Sequence, residues 1–208
     1  MVKILLVGAT GGTGQAVREL APAAGHDVVA LVRHPAVPRL PGASVAHGDV
    51  RDPEALTRAL AGIDAVVSCL GVRIGQQPGT VRSTGTATLV AAMAASGVRR
   101  LVSVSTVGVG ESVAAQSRTA WLLWPRLVGA ERLAEAERAE AAVRGSDLDW
   151  TIVRPPRLVD GPDTPVAVGV DLPTGLRSQL TRAALARTLL DLVDTGAHRR
   201  GCVTVVRR

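Results

Sequence analysis

The segment Gly8-Ala9-Thr10-Gly11-Gly12-Thr13-Gly14 follows directly on the apolar run Ile4-Leu5-Leu6-Val7. Its glycines at 8, 11 and 14 are spaced by three. A strand that ends this way and then opens a helix suits a diphosphate. Gly8 permits the sharp turn, Gly11 lets backbone approach a ligand closely, and Gly14 lets the first helical turn pack on the sheet. Thr10, Gly12 and Thr13 complete the loop, whose bare N–H groups and helix dipole favour an anion. The spacing is G-x-x-G-x-x-G rather than G-x-G-x-x-G, and a loop that merely turns the chain is the plainer alternative. The strand before it and the helix after it favour a dinucleotide.

Four further segments could complete such a site. In sites selective for NAD an acidic residue lies about 20 positions beyond the glycines and holds the ribose 2′-OH. Here Arg33 stands there, in A-L-V-R-H-P. A guanidinium can grip a 2′-phosphate with several donors, which favours NADP(H) over NAD(H). The alternative is a solvated surface arginine. Arg39 is a second clamp candidate. Asp49, in H-G-D-V, can accept from an adenine amine while the Val50 backbone reads the ring, or it can be a helix N-terminal acid ahead of Pro53. Leu70-Gly71-Val72 would lie along the adenosine ribose and diphosphate, with Gly71 leaving room.

These segments need a scaffold that gathers strand ends. Strand-like runs at 4–7, 28–32, 44–46, 64–71, 101–106, 150–154 and 202–206 alternate with helical ones at 13–24, 53–61, 84–96, 131–144 and 181–194. Pro53 suits a helix start and Gly97 a C-cap. Strands apolar on both faces, alternating with helices, imply a parallel sheet covered on both sides. The expectation is an α/β fold: one Rossmann-type domain with a doubly wound parallel sheet over 1–208, with small substrate-side elements from about 155 onward. Ligands then sit at the carboxyl ends of the strands.

Composition narrows the class. The chain has 208 residues and net charge +6, with Lys3 its one lysine and no Tyr or Phe. Scattered arginines without aromatic platforms argue against nucleic acid as a partner. The apolar run after Lys3 is too short for a signal peptide or a membrane span. Cys69 and Cys202 read as small core residues, and His26, His34, His47 and His198 lack metal-ligand spacing, so no metal is expected. A soluble cytoplasmic protein in a reducing compartment is expected, monomeric or homodimeric. Trp121 and Trp124 share one helical face, as a mobile lid, a dimer contact or core. Trp150 reads as core, and the acid-rich helix 131–144 as a solvated face with Glu140 and Arg144 paired.

The pattern resembles the atypical short-chain dehydrogenase/reductase family, in its NAD(P)H-binding, NmrA-like branch. The resemblance rests on G-A-T-G-G-T-G (8–14), L-V-R (31–33), G-D-V (48–50), L-G-V-R (70–73), V-S-V-S-T (102–106), D-W-T-I-V-R-P-P (149–156) and L-T-R-A-A-L-A (180–186). Within the branch it is similar to the biliverdin and flavin reductase members, in length, in the helix end A-A-M-A-A-S-G-V and in the Pro-Pro after strand six. The resemblance implies NADPH binding. It also implies a hydroxyl at Thr106 beside the nicotinamide, and Pro155 with the backbone of Arg157-Leu158 along its ring. Ser105 and Thr106 are the catalytic candidates, their alternative being two hydroxyls that cap a strand end.

The family's usual Tyr-x-x-x-Lys cannot exist here, which excludes ketone reduction and sugar-nucleotide epimerisation by that dyad. A positioned general acid typically contributes ~10²–10⁴-fold. Conjugated acceptors such as flavins, quinones and tetrapyrroles spread the incoming charge and can take their proton from water. The expected function is therefore hydride transfer from NADPH to a small planar acceptor. The alternative is a non-catalytic NADP(H) sensor of NmrA-like type.

Overall fold

Strands rich in Val, Leu and Ile on both faces need cover on both sides, and the chain supplies it with alternating helices. The computed structural model describes residues 1–34, 36–37, 39–71, 77 and 79–208. The first half contains β1 (Lys3–Val7), α1 (Gly12–Leu20), β2 (Asp27–Val32), β3 (Ser44–His47), α2 (Pro53–Ala59), β4 (Ala65–Ser68) and α3 (Val81–Ser96). The second contains β5 (Arg100–Val104), α4 (Arg118–Val128), α5 (Ala130–Arg144), β6 (Asp149–Arg154), β7 (Arg157–Val159), β8 (Val166–Gly169), β9 (Gln179–Thr181), α6 (Arg182–Thr195) and β10 (Gly201–Arg207).

Eight strands form one sheet in the order β3-β2-β1-β4-β5-β6-β10-β8, and β7 pairs with β9 in a separate two-stranded sheet. Every pairing in the large sheet is parallel except β10 with β8. The order reverses at β1, so β1 and β4 diverge into opposite halves and leave a crevice at their carboxyl ends. This is a Rossmann-like α/β fold.

The core has two layers. On one face of the sheet Val17, Leu185 and Leu189 pack against Leu6, Val67 and Val153. On the other, Leu56, Leu89, Met93 and Val143 pack against Leu5, Val66, Leu101 and Ile152. Full burial of such a side chain contributes roughly 1.5–3 kcal/mol. Sequence signals set the helix ends. Asp52 accepts from the Glu54 amide with Pro53 at the first helical position, and Gly97 ends α3 at φ +77°.

Three short strands and α4 lie in stretches that carry no legible pattern. Strands β7 and β9 have three residues each, too few for a period of two to be read. Helix α4 carries Pro125 inside it, which reads as a breaker. The acid-rich helix is not a solvated face. Glu135 and Glu140 of α5 are both buried, with Ser83 and the half-exposed Arg138 meeting the first and Ser105 and the buried Arg154 the second.

Candidate functional site

The glycine loop leaves β1 at the crevice. Gly8 has φ +80°, and a Cβ there would lie 2.6 Å from the Cys69 carbonyl oxygen. A Cβ on Gly14 would lie 2.4 Å from the Gly8 carbonyl oxygen. The fold itself therefore demands both glycines, one for the turn and one for close packing of α1 on the strand. Gly11 is different. A Cβ there would meet nothing closer than 3.4 Å, so internal packing does not require its bareness. Gly71, just past β4, likewise has no neighbour within 4 Å of such a Cβ among the described residues. No side chain caps α1, and its first turn holds no acidic residue. The cradle fits an anionic group that takes its hydrogen bonds from backbone. Thr10 is exposed and Thr13 half-buried on this loop.

At the ends of β2 and β3 three charged groups gather. Arg33 follows Val32 directly and is exposed. Asp49 lies within its electrostatic reach but is engaged by Arg51, which donates Nε to Oδ1 at 3.0 Å and Nη2 to Oδ2 at 2.8 Å. The Arg51 backbone amide adds a third bond at 2.9 Å. Those side-chain hydrogen bonds hold the Asp49 carboxyl at about 2, against the opposing effect of burial. Helix α2 is capped by Asp52 rather than Asp49. Sequence reading missed Arg51, two residues from its partner, because the turn that folds it back has no composition of its own. Val50 is a core residue, packed close to Gly85. Leu70 is half-buried, Arg39 is exposed, and Val72 lies outside the described residues.

The ends of β5 and β6 are joined beyond the strands themselves. The Ser105 amide donates to the Val153 carbonyl at 2.7 Å and the Val107 amide to the Pro155 carbonyl at 3.1 Å. Successive side chains therefore keep alternating. Val104 packs on the α1–α6 layer, and Thr106, two residues on, shares that face with the glycine loop. Its hydroxyl bonds the Val107 carbonyl at 3.2 Å. Ser105 turns the other way, where its hydroxyl donates to Glu140 at 2.5 Å. Thr106 and Ser105 thus have separate surroundings, with the Ser105 hydroxyl committed to Glu140 and the Thr106 hydroxyl to the Val107 carbonyl. Pro155 is buried.

Glu140 is the hub of an ion network that the sequence did not announce. Arg154 donates Nη2 to its Oε2 at 2.5 Å and Nε to its Oε1 at 2.9 Å. Glu111 accepts from Arg154 at 3.0 Å and from Arg144 at 2.6 and 2.8 Å. Arg144 stands 3.8 Å from Glu140, so Arg154 rather than the helical neighbour is its main partner. Burial works against the Arg154 charge, but hydrogen bonding and attraction from Glu140 outweigh it and hold its proton tightly. Hydrogen bonds from Arg144 lead in holding the Glu111 carboxyl at about 2, below its ordinary 4.5.

That depression has a pH consequence. A carboxyl held below its unfolded value stabilises the fold where it is ionised in both states, above about pH 4.5. The contribution drains away as pH falls toward about 2. Thermal unfolding midpoints should therefore drop between pH 5 and 2.5, and Glu111→Gln should start lower and fall less steeply. Parallel curves for the two proteins would refute the assignment.

Helix α4 closes over this end of the sheet. Trp124 is buried and donates Nε1 to the Val107 carbonyl at 3.0 Å, while Trp121 is 59% exposed. The two tryptophans therefore do different jobs, despite their helical spacing. Cys69 and Cys202 are free thiols, each half-buried. Cys69 is pushed up to about 12 by burial, which leaves it an inert thiol. No cluster of potential metal ligands occurs among the described residues. No helix among them is long and apolar enough to cross a membrane.

Comparison with known proteins bears on this crevice. A (4-alkanoyl-5-oxo-2,5-dihydrofuran-3-yl)methyl phosphate reductase from Streptomyces griseus is 37% identical over 154 residues, covering 73% of this chain and 46% of that protein. The chain spans about half the length of the curated relatives it matches. Among solved structures, ChuY, an anaerobilin reductase from Escherichia coli O157:H7, superposes with a TM-score of 0.81 at 24% identity, covering 99% of this chain and 97% of that one. A short-chain dehydrogenase/reductase from Veillonella parvula, solved in complex with NADP, superposes at 0.80 with 18% identity, covering 98% and 94%. A family model described as NAD(P)H-binding matches residues 8–196, which takes in the glycine loop, the ends of β2 to β6 and α6. The chain belongs to that NAD(P)H-binding family.

Proposed function

We propose that this protein binds NADPH in the β1–β4 crevice and reduces a small planar conjugated acceptor of the flavin, quinone or tetrapyrrole type. The observation that carries the proposal is the glycine loop, whose helix has no side-chain cap and in which Gly11 is bare without any packing reason. The reductase names of the Streptomyces relative and of ChuY support reduction as the chemistry. The bound dinucleotide would supply the hydride. The chain's own part is to hold and orient it. Backbone amides of Thr10 and of residues 12–14 take the diphosphate, with Gly8 and Gly14 setting their direction, while the Gly11 amide is held by the Gly8 carbonyl at 3.1 Å. Arg33 takes the 2′-phosphate. Arg51 keeps Asp49 ionised within electrostatic reach of Arg33, so Asp49 favours the charge of that end of the site as well as meeting adenine. Leu70, Gly71 and Val72 border the sugar, and Thr106 with Pro155 borders the ring. Thr106 offers the hydroxyl nearest the acceptor, and Ser105 anchors the segment from below. A chain without Tyr has no phenol to donate a proton, so solvent supplies it. We place the protein in the NmrA-like branch, in a soluble reducing compartment, as a monomer or homodimer.

The experiment is a titration with NADPH and NADH, followed by a panel of flavins and quinones monitored by loss of reduced-nicotinamide absorbance. A hydrogen bond to a charged group contributes about 1.5–3 kcal/mol. Arg33→Ala should therefore weaken NADPH roughly ten- to a hundredfold and leave NADH nearly unchanged. Equal losses would remove the 2′-phosphate assignment. Turnover that falls in Thr106→Ala supports catalysis. Tight binding with no oxidation of any acceptor would leave an NADP(H) sensor instead.

A further inference from the structure

One guanidinium beside the glycine loop has no role in the assignments above. Arg182 opens α6, and its side chain lies flat over the loop. A Cβ built on Gly12 would come within 2.7 Å of its Nε and 2.9 Å of its Cδ. The small β7–β9 sheet puts it there. Val159 pairs with Thr181, and the next residues along the two strands are Asp160 and Arg182. The Arg182 Nη1 donates to the Asp160 Oδ1 at 2.6 Å. The Asp160 side chain is 93% exposed.

The buried arginines Arg18, Arg100 and Arg154 end on interior acceptors, whereas the Arg182 side chain is 29% exposed. Arg18 reaches the carbonyls of Ala9 and Pro41, Arg100 reaches that of Leu192, and Arg154 reaches Glu140. Arg182 meets a carboxylate in water. Such a pair contributes little to stability and is easily exchanged. Phosphate oxygens offer the same fork geometry with stronger, charge-assisted bonds.

We propose that Arg182 is a diphosphate-binding residue, parked on Asp160 and transferring to the dinucleotide diphosphate when it enters the glycine loop. The inference rests on the dinucleotide reading above. It adds that the β7–β9 segment, which follows β6 and Pro155, is tied to the cofactor through α6.

The test is calorimetric titration of the full chain with NADPH and with NADH, which share the diphosphate and differ at the 2′-phosphate. Arg182→Gln should weaken both cofactors by a similar factor, about tenfold or more. Asp160→Asn should bind both as tightly as the parent chain, or more tightly, because it removes the competing acceptor. Raised salt should cost the parent chain more affinity than it costs Arg182→Gln. If Arg182→Gln does not fold, Arg182→Met keeps the apolar stem without the charge and carries the same expectation. Unchanged affinity in the folded variant overturns the proposal, as does a loss confined to NADPH. A loss in Asp160→Asn equal to that in Arg182→Gln also overturns it, since the pair would then only brace the small sheet. If the parent chain takes up neither cofactor, the dinucleotide reading itself fails and this inference falls with it. Parent binding with an indifferent Arg182 sinks the inference alone.

Discussion

Replacing Glu140 with alanine is expected to lower the unfolding free energy by about 3–5 kcal/mol, read by urea denaturation at neutral pH. The argument is the state of what remains. The Arg154 side chain is 3% exposed and loses both hydrogen bonds to Glu140, while the Ser105 hydroxyl loses its acceptor. A buried charge without its partner keeps the desolvation cost and loses the compensation. Glu111 still reaches Arg154, but its side chain is half in water and offers weaker relief. Glu140→Gln keeps the shape and one acceptor, so a smaller loss is expected. Replacing Glu140 and Arg154 together by apolar residues of similar volume should recover much of the stability, because the orphaned charge disappears. A loss below about 1 kcal/mol in the alanine variant would mean that the pair only breaks even against water. The effect also reaches the crevice, because Ser105 and Val107 hold the β5 end to the β6 end on either side of Thr106.

Gly8→Ala should cost about 3 kcal/mol, the sum of two independent penalties. The residue sits at φ +80°, where an L side chain is strained. Its Cβ would also stand 2.6 Å from the Cys69 carbonyl oxygen and 2.8 Å from the carbonyl carbon. Those atoms are backbone, fixed by the bond from the Cys69 amide to the Val7 carbonyl at 2.8 Å, so they cannot step aside as a side-chain tip would. The β1–β4 junction must open, and the diphosphate cradle opens with it. Gly11→Ala is the control. Its φ and its neighbours tolerate a methyl group, so stability should hold while dinucleotide affinity falls. Equal stability of Gly8→Ala and the parent in thermal melts would show that the junction is softer than its geometry implies.

Much of this was legible in the chain itself, for physical reasons. Strands β1, β2 and β4 carry continuous apolar runs, and β5 and β6 are mostly apolar between turn residues. Pro53 and Gly97 mark helix ends because their backbones suit those positions. The glycine loop could be read because Gly8 and Gly14 answer different steric demands at a fixed spacing. The interior of α5 was not legible. Its apolar residues are mostly alanines distributed around the helix, and its buried face carries Glu135 and Glu140 among Ala136, Ala139 and Val143. A carboxylate that points inward has the same letter as one that points to water. What distinguishes them is Arg154, Ser83 and Ser105, which are remote in sequence. The partnership of Asp49 with Arg51 and the approach of Arg182 to Gly12 were hidden likewise. Each depends on where a long side chain lies, and periodicity carries no information about that.

The two margins of the large sheet are its shortest members but for β4. Strand β3 and strand β8 have four residues each, while β2, β6 and β10 inside have six or seven. A long open margin offers a row of unpaired amides and carbonyls on which a neighbouring molecule can crystallise its own backbone into fibres. Here each margin exposes only a brief row. Gly169 ends the β8 row, and the backbone turns away through Asp171 at φ 56°. A chain this rich in valine is thereby guarded against edge-on aggregation by the brevity of its outermost strands.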